Sequence, residues 1–249
     1  MAKNIAIILI FVLVLFVFVY CLMHHVHIKF NTFFKKGYKP YQDKFGCYVY
    51  VAPQGKGKTT ALVAYLYDHK EEDIVFSNIK NIKEIEYTAF TGFKGIYEII
   101  EKLDSGELVI PNDKQLVIVY DELFSELQRQ SKIDDKLMDF LTQMRKRKII
   151  FLTTCQLWRE IPLTLRKIAR YQIECKLFVL FNRAILIKVF HNAEEIMWDE
   201  QQQDFVSPII ETTIEKGRKK IVDLYNTYER IHKTDVLGHE KPKNDTFIN

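Results

Sequence analysis

Hydrophobic and polar positions divide the chain into unlike stretches. From Ile5 to Met23 about 19 residues pass without a charge and without a polar face. At ~1.5 Å per residue such a helix matches a hydrocarbon core of roughly 30 Å. A cleaved signal peptide would have a shorter apolar region and a small-residue cleavage site. The pattern therefore predicts one membrane-spanning helix over 1–23. Lys3 precedes it, whereas Lys29, Lys35, Lys36 and Lys39 follow it. That lysine excess sets the following chain in the cytoplasm and the N-terminus outside, a single-pass topology.

After a polar, aromatic-rich linker over 24–45, the pattern changes to short apolar runs separated by polar helical spacing. Tyr48-Val-Tyr-Val51, Asp73 to Asn78, Gln115 to Tyr120 and Ile149 to Thr154 read as strands. Their runs are continuous rather than alternating, which is expected of parallel strands covered on both faces. Helical spacing follows Val51 as far as His69 and recurs over Phe93–Leu103, Leu137–Met144 and, after Pro162, Ile161–Ile168. Alternation of strands and helices predicts an α/β domain with a mostly parallel sheet flanked by helices. Tyr171–Lys176, Leu177–Phe181 and Ala184–Phe190 are strand-like, with a turn at Asn182-Arg183, and predict an antiparallel hairpin on the sheet edge or a small β appendage. Beyond residue 200 the chain is mostly polar, with one helix-like stretch from Lys219 to Ile231 and a tail, Gly238 to Asn249, read as disordered. The expected organisation is an anchor (1–23), a linker (24–45), the α/β domain (46–190), a C-terminal β/α appendage (191–237) and a tail (238–249).

Two junctions carry chemistry. Ala52-Pro53-Gln54-Gly55-Lys56-Gly57-Lys58-Thr59-Thr60 stands between the first strand and the first helix of the domain. It fits the phosphate-cradling loop pattern with Ala52 in the place of the first glycine. Glycines let backbone N–H groups face phosphates, and the helix N-terminus adds partial positive charge. Lys58 would reach the β- and γ-phosphates, and the Thr59 hydroxyl would hold Mg²⁺. The strand ending at Tyr120 runs into Asp121-Glu122. Ligands of such sheets sit beyond the carboxyl ends of the strands, so Asp121 is placed to hold Mg²⁺ and Glu122 to take a proton from attacking water. Gln156, closing Phe151–Gln156, is placed to sense a γ-phosphate or orient water, and Arg145 ends the preceding helix.

Composition adds little. The 249 residues suit one domain plus attachments, and 48% apolar content is inflated by the N-terminus. A net charge of +4 does not by itself indicate nucleic acid; the basic runs Arg145–Lys148 and Lys216–Lys220 are of the kind usually found on a solvated face. Cys21, Cys47, Cys155 and Cys175 form no CxxC pair, which argues against a disulfide framework. His24, His25 and His27 read as part of the membrane-proximal linker rather than a metal site.

Taken together, Ala52–Thr59, Asn78, Asp121-Glu122, Arg145 and Thr154-Cys155-Gln156 resemble the FtsK–HerA superfamily of RecA-like P-loop ATPases. The resemblance, over residues 45–190, is to its small viral branch of zonula-occludens-toxin-like filamentous-phage assembly proteins and genome-packaging ATPases of membrane-containing phages. It implies ATP and Mg²⁺ on Ala52–Thr60 and Asp121, Glu122 as base, Gln156 as γ-phosphate sensor and Arg145 as a finger acting in trans. It also implies a homo-oligomeric ring, commonly a hexamer, sequence-independent contact with DNA, and phage coat or vertex proteins as partners. Lys146, Arg147 and Lys148 are the first residues to consider for phosphate contacts with DNA. Filamentous-phage assembly ATPases often carry their membrane segment after the ATPase domain, whereas here it comes first. The leading expectation is a membrane-anchored DNA motor for phage packaging or virion assembly and export. The alternative is a nucleotide-switched membrane scaffold that recruits assembly partners without moving DNA. A small-molecule kinase would want an Arg-rich lid, and a transporter subunit a Ser-Gly-Gly-Gln signature, which is absent.

Overall fold

The strands that read as unbroken apolar runs are those buried on both faces. The structure is a computed structural model that describes residues 2–23, 26–28, 45–71, 73–127, 135–180, 183–216, 221, 224 and 225. In chain order it comprises α1 (Ala2–Met23), β1 (Val26–Ile28), β2 (Gly46–Val51), α2 (Lys58–His69), β3 (Asp73–Ser77), β4 (Thr88–Ala89), α3 (Gly92–Asp104), β5 (Gln115–Tyr120), α4 (Leu123–Leu127) and α5 (Asp135–Gln143). There follow β6 (Ile149–Cys155), a 3₁₀ turn (Trp158–Glu160), α6 (Leu163–Arg166), β7 (Ala169–Leu180), β8 (Arg183–Asn192), β9 (Met197–Asp199), β10 (Asp204–Val206) and β11 (Ile209–Lys216). The main sheet has the order β1-β11-β8-β7-β2-β6-β5-β3-β4. From β7 to β4 every pairing is parallel.

Side-chain alternation splits the core into two layers. Val49, Val51, Leu116, Ile118, Ile149 and Phe151 pack on one face with Phe93, Ile96 and Ile99 of α3 and Leu137 and Phe140 of α5. Tyr48, Tyr50, Val117, Val119, Ile150 and Leu152 pack on the other with Ala61, Leu62, Val63 and Leu66 of α2. Leu116 to Val119 are each fully enclosed. That double burial is why β5 shows no polar alternation.

The strand-like stretches after residue 170 form one hairpin of the main sheet. β7 runs unbroken through Lys176-Leu177, and β8 pairs antiparallel with it from Tyr171↔Asn192 to Leu180↔Arg183. The sheet continues past residue 190, because β11 pairs antiparallel with β8 and β1 parallel with β11. Period-2 patterning in Ile209–Lys216 is weak: Thr213 and Glu215 are buried, and the Glu215 carboxylate is ion-paired with Lys188 at 2.5 Å across β8. Polar residues turned inward hide a strand from a reading based on apolar periodicity. The antiparallel pair β9–β10 and the helix α4, three to five residues each, are too short for a period to show.

Helix α1 is 22 residues long, and its large apolar side chains from Ile7 to Tyr20 are exposed around the whole circumference. The side chains of Ala2 to Asn4 and of Ala6 are outside the described set. Among the described residues no helix is long and apolar enough to cross a membrane. Most of the linker expected over 24–45, most of the helix expected over Lys219–Ile231 and all of the tail over Gly238–Asn249 lie outside the described residues.

Candidate functional site

The phosphate-loop segment sits where β2 leaves the sheet. Ala52 N–H donates to the Cys155 carbonyl at 3.3 Å, so the loop begins hydrogen-bonded to the end of β6. Lys56 N–H turns back to the Pro53 carbonyl at 3.2 Å, and Pro53 to Lys56 are exposed. Gly57 then takes φ 93°, a left-handed conformation that non-glycine residues seldom hold. A Cβ there would lie 3.1 Å from Leu177 Cβ and 3.3 Å from Leu186 Cδ1, so β7 and β8 close against the loop at this glycine. Helix α2 starts at Lys58 with no side-chain cap on its first turn. Its first N–H groups are therefore left to a ligand or water, which is what an anion site at a helix N-terminus requires. Lys58 is buried, 6% exposed, and Thr59 is half-buried behind it.

The acids stand two strands away. Registers Val51↔Cys155 and Tyr120↔Thr153 align the carboxyl ends of β2, β6 and β5, so Ala52, Gln156 and Asp121 emerge at one end of the sheet. Asp121 is fixed by two neighbours. Asn78, just past β3, donates from Nδ2 to the Asp121 carbonyl at 3.1 Å and accepts the Asp121 N–H on Oδ1 at 2.7 Å. Thr154 of β6 donates its hydroxyl to Asp121 Oδ1 at 2.5 Å and accepts the Glu122 N–H at 2.9 Å. One hydroxyl thus orients the side chain of the first acid and the backbone of the second. Glu122 holds φ 60°, costly for a non-glycine residue, and its side chain is exposed at the sheet end. Burial raises the Asp121 pKa above its ordinary 3.8; the Thr154 hydrogen bond and the Lys58 charge pull it down, and Glu122 pushes it up. Thr59 and Asp121 offer a hydroxyl and a carboxylate, the hard oxygen donors that suit Mg²⁺. Among the described residues no group of three or more His, Cys, Asp or Glu side chains forms a protein-only metal cage.

Gln156 is exposed at the end of β6, at the mouth of a cleft of about 700 Å³. Ala52, Pro53 and Lys56 of the loop and Trp158, Leu177 and Phe205 also line it. Burial pushes the Cys47, Cys155 and Cys175 thiols up to about 12.

Lys58, Thr59, Asp121, Glu122 and Gln156 are brought to one end of the sheet, and Arg145 is not. Its Nε lies 3.7 Å from where a Cβ on Gly46 would be, at the start of β2. The six residues of β2 lie between that point and the loop, roughly 20 Å along the sheet. There Arg145 is ion-paired with Glu194, which also lies 3.9 Å from Arg170. Desolvation, then the like charge of Arg170, lowers the Arg145 pKa. Lys148, with φ 55°, ends the same turn, and Arg147 is tied to Asp104 at 2.5 Å.

Thr154 and Asn78 belong to the matched motif, but spacing alone gives them no role; only the sheet register brings both onto Asp121. No local pattern in the sequence marks Tyr225. Its hydroxyl lies 2.6 Å from Thr60 Oγ1, across 165 residues of sequence.

Strand order β7-β2-β6-β5-β3, with the glycine loop after β2 and the acid pair two strands away, after β5, fits a RecA-like P-loop NTPase. No protein-family model matches the chain, and no curated protein matches it. Among solved structures it is similar to the N-terminal domain of zonular occludens toxin from Neisseria meningitidis, at 19% identity over 74% of this chain and 100% of that one, with a TM-score of 0.44. It is also similar to the genome packaging NTPase B204 from Sulfolobus turreted icosahedral virus 2 in complex with ATP-gammaS: 12% identity, 66% of this chain, 98% of that one, TM-score 0.41. A KaiC-like protein from Pyrococcus horikoshii matches at 15% identity over 65% of this chain and 88% of that one, with a TM-score of 0.41.

Proposed function

We propose that the chain is a membrane-anchored ATP hydrolase that moves DNA during phage genome packaging or virion assembly and export. One observation carries the reading: Lys58, Thr59, Asp121, Glu122 and Gln156 meet at the carboxyl ends of three adjacent parallel strands. Lys58 and the open N–H groups of α2 bind the β- and γ-phosphates. Thr59 and Asp121 would hold Mg²⁺, which supplies charge neutralisation when bound. Glu122 accepts a proton from water as its oxygen bonds to the γ-phosphorus and the bond to the β–γ bridging oxygen breaks, releasing ADP and phosphate. Gln156, on the neighbouring strand end, orients that water or senses the γ-phosphate.

Three further parts of the reading have separate supports. The stretch from Ile5 to Met23, which carries no charged side chain, is assigned as the anchor on its sequence pattern, with the sheet domain on the lysine-rich, cytoplasmic side. A ring, hexameric by the resemblance, would let Arg145 serve a neighbouring site, because it cannot reach its own. DNA would be held through phosphates by lysine and arginine, independently of sequence and weakened by salt, while coat or vertex proteins meet the assembled ring.

The test is ATP turnover by the purified full-length chain with and without single- or double-stranded DNA. A severalfold rise with DNA supports the motor. Turnover indifferent to both DNA forms, from folded and assembled protein, replaces it with a nucleotide-switched scaffold.

A further inference from the structure

The only described residues after Lys216 are Ile221, Leu224 and Tyr225, and all three are buried. They pack into the core layer that holds Ala61, Leu62 and Leu66 of α2. The Leu224 carbonyl accepts the Lys83 N–H at 2.9 Å, and Leu224 N–H donates to the Ile221 carbonyl at 3.2 Å, which pins this short piece of backbone. The result is the 2.6 Å contact between the Tyr225 and Thr60 hydroxyls, in a buried place next to Lys58 and Thr59.

Two hydroxyls joined by one hydrogen bond have one proton left over. Among the described residues neither hydroxyl has a second hydrogen-bond partner. If Tyr225 donates to Thr60, the spare proton is the one on Thr60 Oγ1, in the first turn of α2, where N–H groups also lack a cap. That proton is then available to a further acceptor beside those N–H groups. Burial keeps the Tyr225 phenol protonated by raising its pKa; the Thr60 bond opposes this and the Asp121 charge adds to it.

We propose that Tyr225 is a positioning residue of the phosphate site: it donates to Thr60 Oγ1 and so turns the Thr60 hydroxyl proton onto a phosphate oxygen of the bound nucleotide. An anion at the end of such a chain polarises both bonds, so the relay tightens when phosphate is bound. The inference rests on the nucleotide-binding reading above. It gives the C-terminal segment a task, because holding Tyr225 in place links residues after the last strand to the occupancy of the loop.

The experiment is ADP affinity, by equilibrium titration, of the full-length chain and of Lys58→Ala, Tyr225→Phe, Thr60→Val and the Tyr225→Phe/Thr60→Val double variant, with melting temperatures measured without nucleotide. Tyr225→Phe keeps the buried ring and removes only the hydroxyl. The relay predicts that it weakens ADP binding about 3- to 10-fold, the range for one hydrogen bond. It also predicts that the double variant binds no more weakly than Thr60→Val alone, because one chain is broken in either case. Unchanged affinity in Tyr225→Phe, or losses that multiply in the double variant, overturns the proposal and leaves Tyr225 a packing residue that moves only the melting temperature. The underlying reading fails separately: there the wild type does not bind ADP, or Lys58→Ala binds it equally well.

Discussion

The two ends of the central sheet treat charge in opposite ways. At the amino-terminal end, Arg145 and Arg170 share Glu194, and Arg147 is paired with Asp104. Each of these three arginines has an anion of the same chain beside it. At the carboxyl end, Lys58 is buried, the first turn of α2 is uncapped, and Asp121 is burdened by its own desolvation. Polar groups there are held in position by Asn78, Thr154 and Tyr225 but are not neutralised. The first end is what a folded chain does with surface charge. The second keeps unmet donors and a strained acid at Glu122, arrangements that cost stability and persist where a ligand uses them.

The sharpest way to break that contrast is to remove the buried cation. Lys58→Ala should reduce ATP turnover by about 10³-fold or more and abolish nucleotide binding, since Lys58 is the buried cation beside the phosphate loop among the described residues. An unchanged rate would remove the site assignment. Glu122→Gln separates binding from chemistry: turnover falls about 10²- to 10⁴-fold while ADP affinity stays near wild type, because the carboxylate acts on water rather than on the nucleotide. If both fall together, Glu122 holds the ligand and is not the base.

A smaller effect is read in stability. Because burial raises the Asp121 pKa, the folded protein binds that proton more tightly than the unfolded chain does. Its contribution is favourable below the ordinary 3.8 and is lost as pH rises through the raised folded value. Asp121→Asn fixes the neutral form and can still accept from Thr154. It should therefore melt higher than the wild type at neutral pH in the absence of Mg²⁺, with the gain vanishing in acid, while turnover is lost. A variant less stable at every pH would show that the carboxylate contributes more through hydrogen bonds than its desolvation costs.

The same contrast explains what could be read along the chain. The carboxyl end was legible because its chemistry is carried by residues close in sequence, Gly57-Lys58-Thr59 and Asp121-Glu122, each following an apolar run that double burial leaves unbroken. Thr154, Asn78 and Tyr225 act through contacts 33, 43 and 165 residues away, and nothing local marks them. β11 was missed for another reason: its buried positions include Thr213 and Glu215, so polar residues occupy places where periodicity expects apolar ones. Arg145 was legible as an arginine ending a helix. Its distance from the loop of its own chain was not, since it follows from strand direction.

That distance makes Arg145 the residue on which the two ends can be joined. Within one chain its ion pair with Glu194 has side chains 50% and 36% exposed, so solvent screens it and Arg145→Ala should cost at most about 1 kcal/mol of stability. A finger acting in trans requires the amino-terminal end of one sheet to face the carboxyl end of the next, a head-to-tail contact that closes into a ring. Under that arrangement, rings of Arg145→Ala subunits keep Glu122 but lack the finger, and rings of Glu122→Gln subunits keep the finger but lack the base. Mixing the two creates interfaces where an Arg145→Ala subunit, with its intact Glu122, receives Arg145 from its neighbour. Turnover should then rise above that of either variant alone, in proportion to the mixed interfaces formed. Absence of any rise, with assembly intact, would leave the amino-terminal end as self-contained as its ion pairs make it within a single chain.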